Sequence, residues 1–503
     1  MNRYTYLLVL LMGLFVACKK EIPTPPRPPK PVTLTDADRL RAQIYDYYNK
    51  YSLWTESIPD LNEADRLAFV RQYGSNQSVL NALRNMTPNF SYRPYDYLGV
   101  AVGNHYDRYS FLDESATGAA SSRAGVELQM DATEGYGLYF GWGMLASDGF
   151  ARPVISFVEG GSPAQKAGLR RGMIVYELNG EEPTARVAAD GSVNAQDDQK
   201  FQQKLTGNVL VLRMKTIEHL NEEPQDFTIR YADSYTINPV MKDTVYAYPT
   251  KSVAYLAYSS FEEAYLGYGT DWDRMEAIFD RFETAAVKDL ILDLRYNTGG
   301  YVETARYLAN KLVPSAANGQ VMFSYEVNDY LKPYTQTPSS DFDFRPVHFK
   351  KQNHLELQHL YVLVSEQTAS AAELLVNSLR PHMDLTLIGD TDRTYGKPVG
   401  FFPEEIEDVT LWVTSFKTLN SAGETDYWNG LPFKPTDISD GNDYFFKDFG
   451  DSSEDMIALA LDKAGVKPKT KLQAIVRKAQ LSPQAKGLGL INKLPQRNMR
   501  KVR

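Results

Sequence analysis

Short segments that are apolar on both faces, recurring through the second half of the chain, most constrain what it can fold into. Residues 290–294 (Leu-Ile-Leu-Asp-Leu) and 360–364 (Leu-Tyr-Val-Leu-Val) lack the polar alternation of a half-exposed strand, so each must be covered above and below. Strands are expected at 252–259, 290–294, 360–364, 385–388 and 409–415, with helices at 271–287, 302–312 and 370–379 between them. A β-α-β-α-β order of this kind predicts an α/β core of stacked layers.

Ahead of that core lie two segments of different texture. From Thr35 to Met86, apolar residues recur at helical spacing (Leu40, Ile44, Tyr47, Tyr48, then Leu67, Phe69, Val70), with Thr35 and Asn62 placed as caps. This predicts a small helical cap over 35–125, closed by the run 107–112 and a Gly/Ser/Ala-rich loop at 115–124. Over 126–235 short strands are expected with one short helix. There Ser162-Pro163 caps the helix, Gly168 ends it, 174–178 alternates as a strand and Asn179-Gly180 turns. The polar stretch 185–199 reads as an inserted loop.

The ends of the chain speak to location. The opening MNRYTYLLVLLMGLFVACKK sets one Arg before an apolar run over 6–17, too short for a spanning helix and suited to an export signal. It stops at Cys18, the only cysteine, and residues 14–18 resemble the bacterial lipoprotein cleavage box; an ordinary signal with a coincidental cysteine is the alternative. Lipidation of Cys18 would place the protein in the bacterial cell envelope, on the periplasmic side or outer-membrane surface. Six prolines over 21–32 make residues 18–34 a stiff tether. A lone cysteine permits no internal disulfide. The formal charge of -9 offers no basic excess for nucleic acid. Residues 463–503 nevertheless hold twelve Lys/Arg and no acid, and read as a solvated, flexible tail.

Three segments just past expected strands carry residue types suited to chemistry, where α/β folds place ligands. Asn297-Thr298-Gly299-Gly300 opens a helix with a step that lets the backbone approach a substrate and offers amide donors; a plain strand-to-helix turn explains it equally. Ser370, in Thr368-Ala369-Ser370-Ala371-Ala372-Glu373, falls at a helix start between small neighbours, as a nucleophile or simply as a cap. Lys397 follows 27 positions later, among Tyr395, Val399, Phe401 and Phe402. Apolar surroundings would depress its pKa toward that of a general base, although taken alone it reads as a surface lysine.

Together these segments resemble the carboxyl-terminal processing (tail-specific) serine protease family, in a lipoprotein member. The run 160–180 resembles the PDZ signature, with Met173 where Asp is common; 107–112 resembles that family's Asp-Pro-Tyr-Ser without the Pro; Thr298 stands in the Pro position of Asn-Pro-Gly-Gly; and Thr394-Tyr395-Gly396-Lys397 resembles Phe-Gly-Lys. The resemblance implies a multidomain α/β fold, with a crotonase-like α/β catalytic core, an inserted PDZ-like domain and an N-terminal helical cap. The implied boundaries are signal peptide 1–17, tether 18–34, helical domain 35–125, PDZ domain 126–235, core 236–462 and tail 463–503.

It further implies Ser370 as nucleophile, Lys397 as base, and the amides of Ala371 with Gly299 or Gly300 as oxyanion donors, without cofactor or metal. Gly135, Tyr136, Gly137 and Leu138 would capture the carboxyl end of a protein or peptide substrate by addition to a sheet edge. Many family members orient the lysine with a Gln four residues on, where this chain has Phe401, so Glu373 or Tyr395 must substitute. The competing reading is a PDZ peptide-binding scaffold with weak or no turnover.

Overall fold

The computed structural model describes residues 34–92, 103–114, 134–145, 149–434, 446–466, 486–491 and 501. Cys18, the tether and the loop 115–124 lie outside them. Helices α1 (Asp36–Tyr51), α2 (Glu63–Val70) and α3 (Asn76–Arg84) begin where short polar residues can take an orphan amide: Thr35 from Asp38, Asn62 from Asp65, Ser75 from Ser78. Their buried faces, including Ile44, Tyr48, Val79 and Leu83, join the same apolar cluster as Met275, Leu292 and Leu375. The N-terminal helices therefore share the core of the α/β layer.

After β1 (Phe111–Asp113) comes a largely antiparallel unit. It runs β2 (Leu138–Met144), β3 (Phe150–Val158), α4 (Pro163–Lys166), β4 (Ile174–Leu178), β5 (Ala185–Arg186), α5 (Ala195–Lys204), β6 (Val209–Lys215) and β7 (Gln225–Arg230). Ser162 caps α4 through the Gln165 amide, Gly168 takes φ 85°, and Asn179 and Gly180 take φ 51° and 82°, the left-handed pair a tight hairpin requires. Met173 is 4% exposed and fills the core where the signature favours Asp. The expected inserted loop at 185–199 is corrected: β5 pairs with β3, and Asn194 caps α5. Phe201 is the one buried residue of α5, too weak a stripe to announce a helix in sequence.

The remaining elements are β8 (Val240–Ala247), β9 (Ser252–Tyr258), α6 (Thr270–Thr284), β10 (Asp289–Asp293), α7 (Val302–Leu312), β11 (Val321–Val327), β12 (Val347–His348), β13 (His359–Leu363), α8 (Ala371–Leu379), β14 (Leu385–Ile388), β15 (Val399–Ile406), β16 (Val409–Asn420), α9 (Asp455–Lys463) and β17 (Lys486–Leu490). One sheet has the order β14-β13-β10-β9-β8, parallel except for β8, and its central strand β10 is buried at every position. A second gathers β1, β16, β11 and β12, with β15 paired to β16. The third is the unit from β2 to β7, extended by β17 on the edge of β2. Part of the expected solvated tail is thus a strand, since an open sheet edge offers unpaired amides that the tail backbone can satisfy.

Candidate active site

Strands β10, β13 and β14 are neighbours and parallel, so the loops that leave their carboxyl ends emerge side by side. Backbone bonds stitch these loops together. The amide of Ala369 donates to Asn297 O at 3.1 Å, that of Tyr395 donates to Thr368 O at 3.0 Å, and the Thr368 hydroxyl donates to Leu294 O at 2.8 Å. Residues far apart in sequence thereby share one small volume.

Ser370 precedes α8 with φ 61° and ψ -117°, a conformation L residues avoid and that costs on the order of 1–3 kcal/mol. Its amide donates to Glu373 Oε2 at 2.9 Å, while its fully buried Oγ has no hydrogen-bond partner among the described residues. An orphaned buried hydroxyl on a strained turn is poorly stabilised where it stands and suits a group that must act on something else.

Glu373 is the hinge of the arrangement. Besides the Ser370 amide, its carboxylate accepts the amides of Gly396 and Lys397, each at 2.8 Å, and the Thr394 hydroxyl. Burial raises this carboxyl above its usual range, and the four donors oppose the rise. The group that holds the lysine loop is therefore Glu373, acting on backbone. Tyr395 ties the same loop to Thr368 through its own amide.

Lys397 is 2% exposed, and its Nζ lies 4.8 Å from the centroid of the Tyr109 ring and 4.9 Å from that of Phe401. Burial pulls its pKa well below 10.5, helped by the charge of Arg108 and opposed by Glu373 and Asp107. The two rings would favour an ammonium by about 1–2 kcal/mol. Burial is the larger effect and outweighs that attraction, so the amine loses its proton more readily than a solvated lysine does. Phe401 is fully buried, its ring centroid 6.2 Å from that of Phe111.

The run 107–112 contributes more than sequence reasoning assigned it. The Tyr109 hydroxyl donates to Gly396 O at 2.7 Å. Asp107 accepts from the Tyr48 hydroxyl (2.5 Å), the Ser110 hydroxyl (2.6 Å), the Thr414 hydroxyl (3.0 Å) and the amides of Tyr109 and Ser110. Asp107 thus ties helix α1 to strand β16 beside the Tyr109 ring that faces the lysine. The Asp-x-Tyr-Ser spacing was visible in sequence; its partner strand, some three hundred residues on, was not.

Gly299 and Gly300 take φ 118° and 132°, and a Cβ on Gly300 would lie 2.3 Å from Phe261 O. Only glycine fits there. The Gly299 amide donates to Asn297 Oδ1 at 3.0 Å, so of the two it is Gly300 whose amide, like that of Ala371, makes no hydrogen bond among the described residues. Ala372 is committed to Ala369 O at 3.1 Å.

In the antiparallel unit, Gly135, Tyr136, Gly137 and Leu138 lead into β2. Gly135 exchanges backbone bonds with Ala232, which removes its amide as a donor; the amides of Tyr136 and Gly137 make none among the described residues. A Cβ on Gly137 would meet Ser162 Cβ at 2.2 Å. Among the described residues no group of three or more His, Cys, Asp or Glu is placed to hold a metal ion, and no helix is long and apolar enough to cross a membrane.

Residues 252–431 match the model of peptidase family S41. The chain is 26% identical over 276 residues to the chloroplastic carboxyl-terminal-processing peptidase 3 of Arabidopsis thaliana, covering 53% of this chain and 47% of that protein. It is 24% identical over 301 residues to the carboxy-terminal processing protease CtpB of Bacillus subtilis, covering 56% and 52%. It spans about half the length of these relatives. A putative S41 protease of Bacteroides fragilis, solved as a crystal structure, shares the fold with a TM-score of 0.58 and 22% identity, over 84% of this chain and 97% of that one.

Proposed function

We propose that this chain, in which residues 252–431 match peptidase family S41, is a serine endopeptidase that cuts exported proteins near their carboxyl ends. The observation that carries this reading is the Glu373 clamp, which binds the backbone of Ser370 and of Lys397 at once and so holds a buried hydroxyl, without a hydrogen-bond partner among the described residues, beside the loop of a lysine whose pKa is lowered by burial. Lys397 takes the Ser370 proton, and Oγ attacks the peptide carbonyl. The amides of Ala371 and Gly300 stabilise the resulting oxyanion, each worth on the order of 3 kcal/mol. The lysine then returns the proton to the leaving amine, and water releases the acyl-enzyme.

The unit from β2 to β7 acts in this reading as a PDZ module, with the Tyr136 and Gly137 amides receiving a terminal carboxylate. The domain limits 35–125, 126–235 and 236–462 follow, with the first sharing the core of the third. A lipid on Cys18 and the tether 18–34 would hold the enzyme at the bacterial envelope. Cleavage of an unfolded protein with an apolar carboxyl end tests the assignment: Ser370→Ala and Lys397→Ala should each lower kcat at least a thousandfold with binding intact.

Complete burial of Ser370 favours a second reading, a peptide-binding scaffold without turnover. A serine-directed covalent probe that labels Ser370 in the folded protein rules the scaffold out; a folded, peptide-binding chain that neither labels nor cleaves establishes it.

A further inference from the structure

The edge of β2 is already occupied. Strand β17 pairs antiparallel with β2, with Lys486 opposite Met144, Gly487 opposite Gly143 and Leu490 opposite Gly141, so it runs carboxyl-ward toward the loop 135–138. The Ile491 amide then donates to Phe140 O at 2.8 Å. Ile491 is 7% exposed and joins the apolar core that contains Leu138, Phe140 and the α5 residue Phe201. This is the placement and direction that addition of a substrate's carboxyl end to β2 would require.

The sequence continues for twelve residues beyond Ile491. A second contact lies at Lys501, whose amide donates to Phe401 O at 3.1 Å, on the strand whose Phe401 ring walls Lys397. The Lys501 amine lies 5.6 and 5.9 Å from the rings of Phe344 and Tyr325. One tail thus reaches both the sheet edge and the strand beside the candidate base.

We propose that residues 486–491 are the resident occupant of the β2 groove, making the protein's own tail an intramolecular competitor of its peptide substrates. This rests on the peptide-binding reading of β2 given above. A tethered occupant acts at an effective concentration of order millimolar, so if its own affinity is near 10 μM it weakens an incoming peptide about a hundredfold. Substrates able to displace it are those with apolar, β-forming carboxyl ends.

The test uses fluorescein-labelled Lys-Gly-Leu-Gly-Leu-Ile with a free carboxylate, the sequence of 486–491 itself, and measures its binding by fluorescence polarisation. Three forms are compared in a Ser370→Ala background that prevents cleavage: the full chain, the chain ended after Ala485, and the full chain with Ile491→Asp. Both altered forms should bind the probe at least about tenfold more tightly than the full chain. Equal, measurable binding by all three overturns the tail's role and leaves β2 as a peptide groove. A gain in the shortened chain alone moves the competitor away from 486–491 and overturns the assignment. Absence of binding in all three, with circular dichroism unchanged, overturns both the inference and the reading beneath it.

Discussion

A lysine held between Tyr109 and Phe401, with its backbone clamped by Glu373, makes its proton expensive. Burial depresses the Lys397 pKa well below 10.5. Between that depressed value and 10.5 the unfolded chain carries a proton that the folded chain lacks, so stability rises with pH through this window and the cost is full below it. Lys397→Met should therefore raise Tm at pH 7, and calorimetry should show the gain shrinking as pH approaches 10.5. A Tm lowered at every pH would mean that packing of the lysine stem outweighs its charge. In the parent, kcat/KM should climb with pH along an acid limb that ends well below 10.5, as expected of a base that works only when neutral.

At the scale of elements, α8 and the loop before β15 depend on the Glu373 carboxylate, which accepts four donors and offers none. Glu373→Gln turns one acceptor into an amide donor facing N–H groups, which should cost about 1–3 kcal/mol and reduce kcat about a hundredfold by displacing Ser370 and Lys397 together. Urea unfolding and the cleavage assay check the two halves; unchanged kcat would remove Glu373 from the positioning of the pair. The strands that carry these loops were legible because 290–294 and 360–364 are apolar on both faces. Strand β8, half-exposed along most of its length, has no such signature, and α5 buries only Phe201. Ser370 and Lys397 stood out in sequence through the motifs around them, and Glu373 binds the backbone of both. What Asp107 and Tyr109 hold was not legible, because each depends on a partner from another element; the choice between the Gly299 and Gly300 amides turned on the Asn297 side chain, which takes the first.

Across the whole molecule, the antiparallel unit and the α/β core meet on buried charge. Arg171, from the loop after α4, is fully buried with its Nη2 3.7 Å from Glu454 at the start of α9, and it donates to Lys447 O. Arg295, leaving β10, binds Glu454 and Asp293, each at 2.6 Å, and Asp293 also accepts from the Tyr255 hydroxyl. Two cations and two carboxylates balance, which lets the cluster survive without water. Such balance adds little net stability, since desolvation consumes most of the attraction, but removing one member strands a charge. Glu454→Gln should therefore cost about 3–5 kcal/mol by denaturant unfolding, whereas Arg66→Ala, at a surface pair with Asp46, should cost no more than about 1. Adding Arg171→Met to Glu454→Gln restores neutrality, so the double variant should be more stable than Glu454→Gln alone. Strictly additive losses would show that Arg171 contributes packing at this junction and no balancing charge.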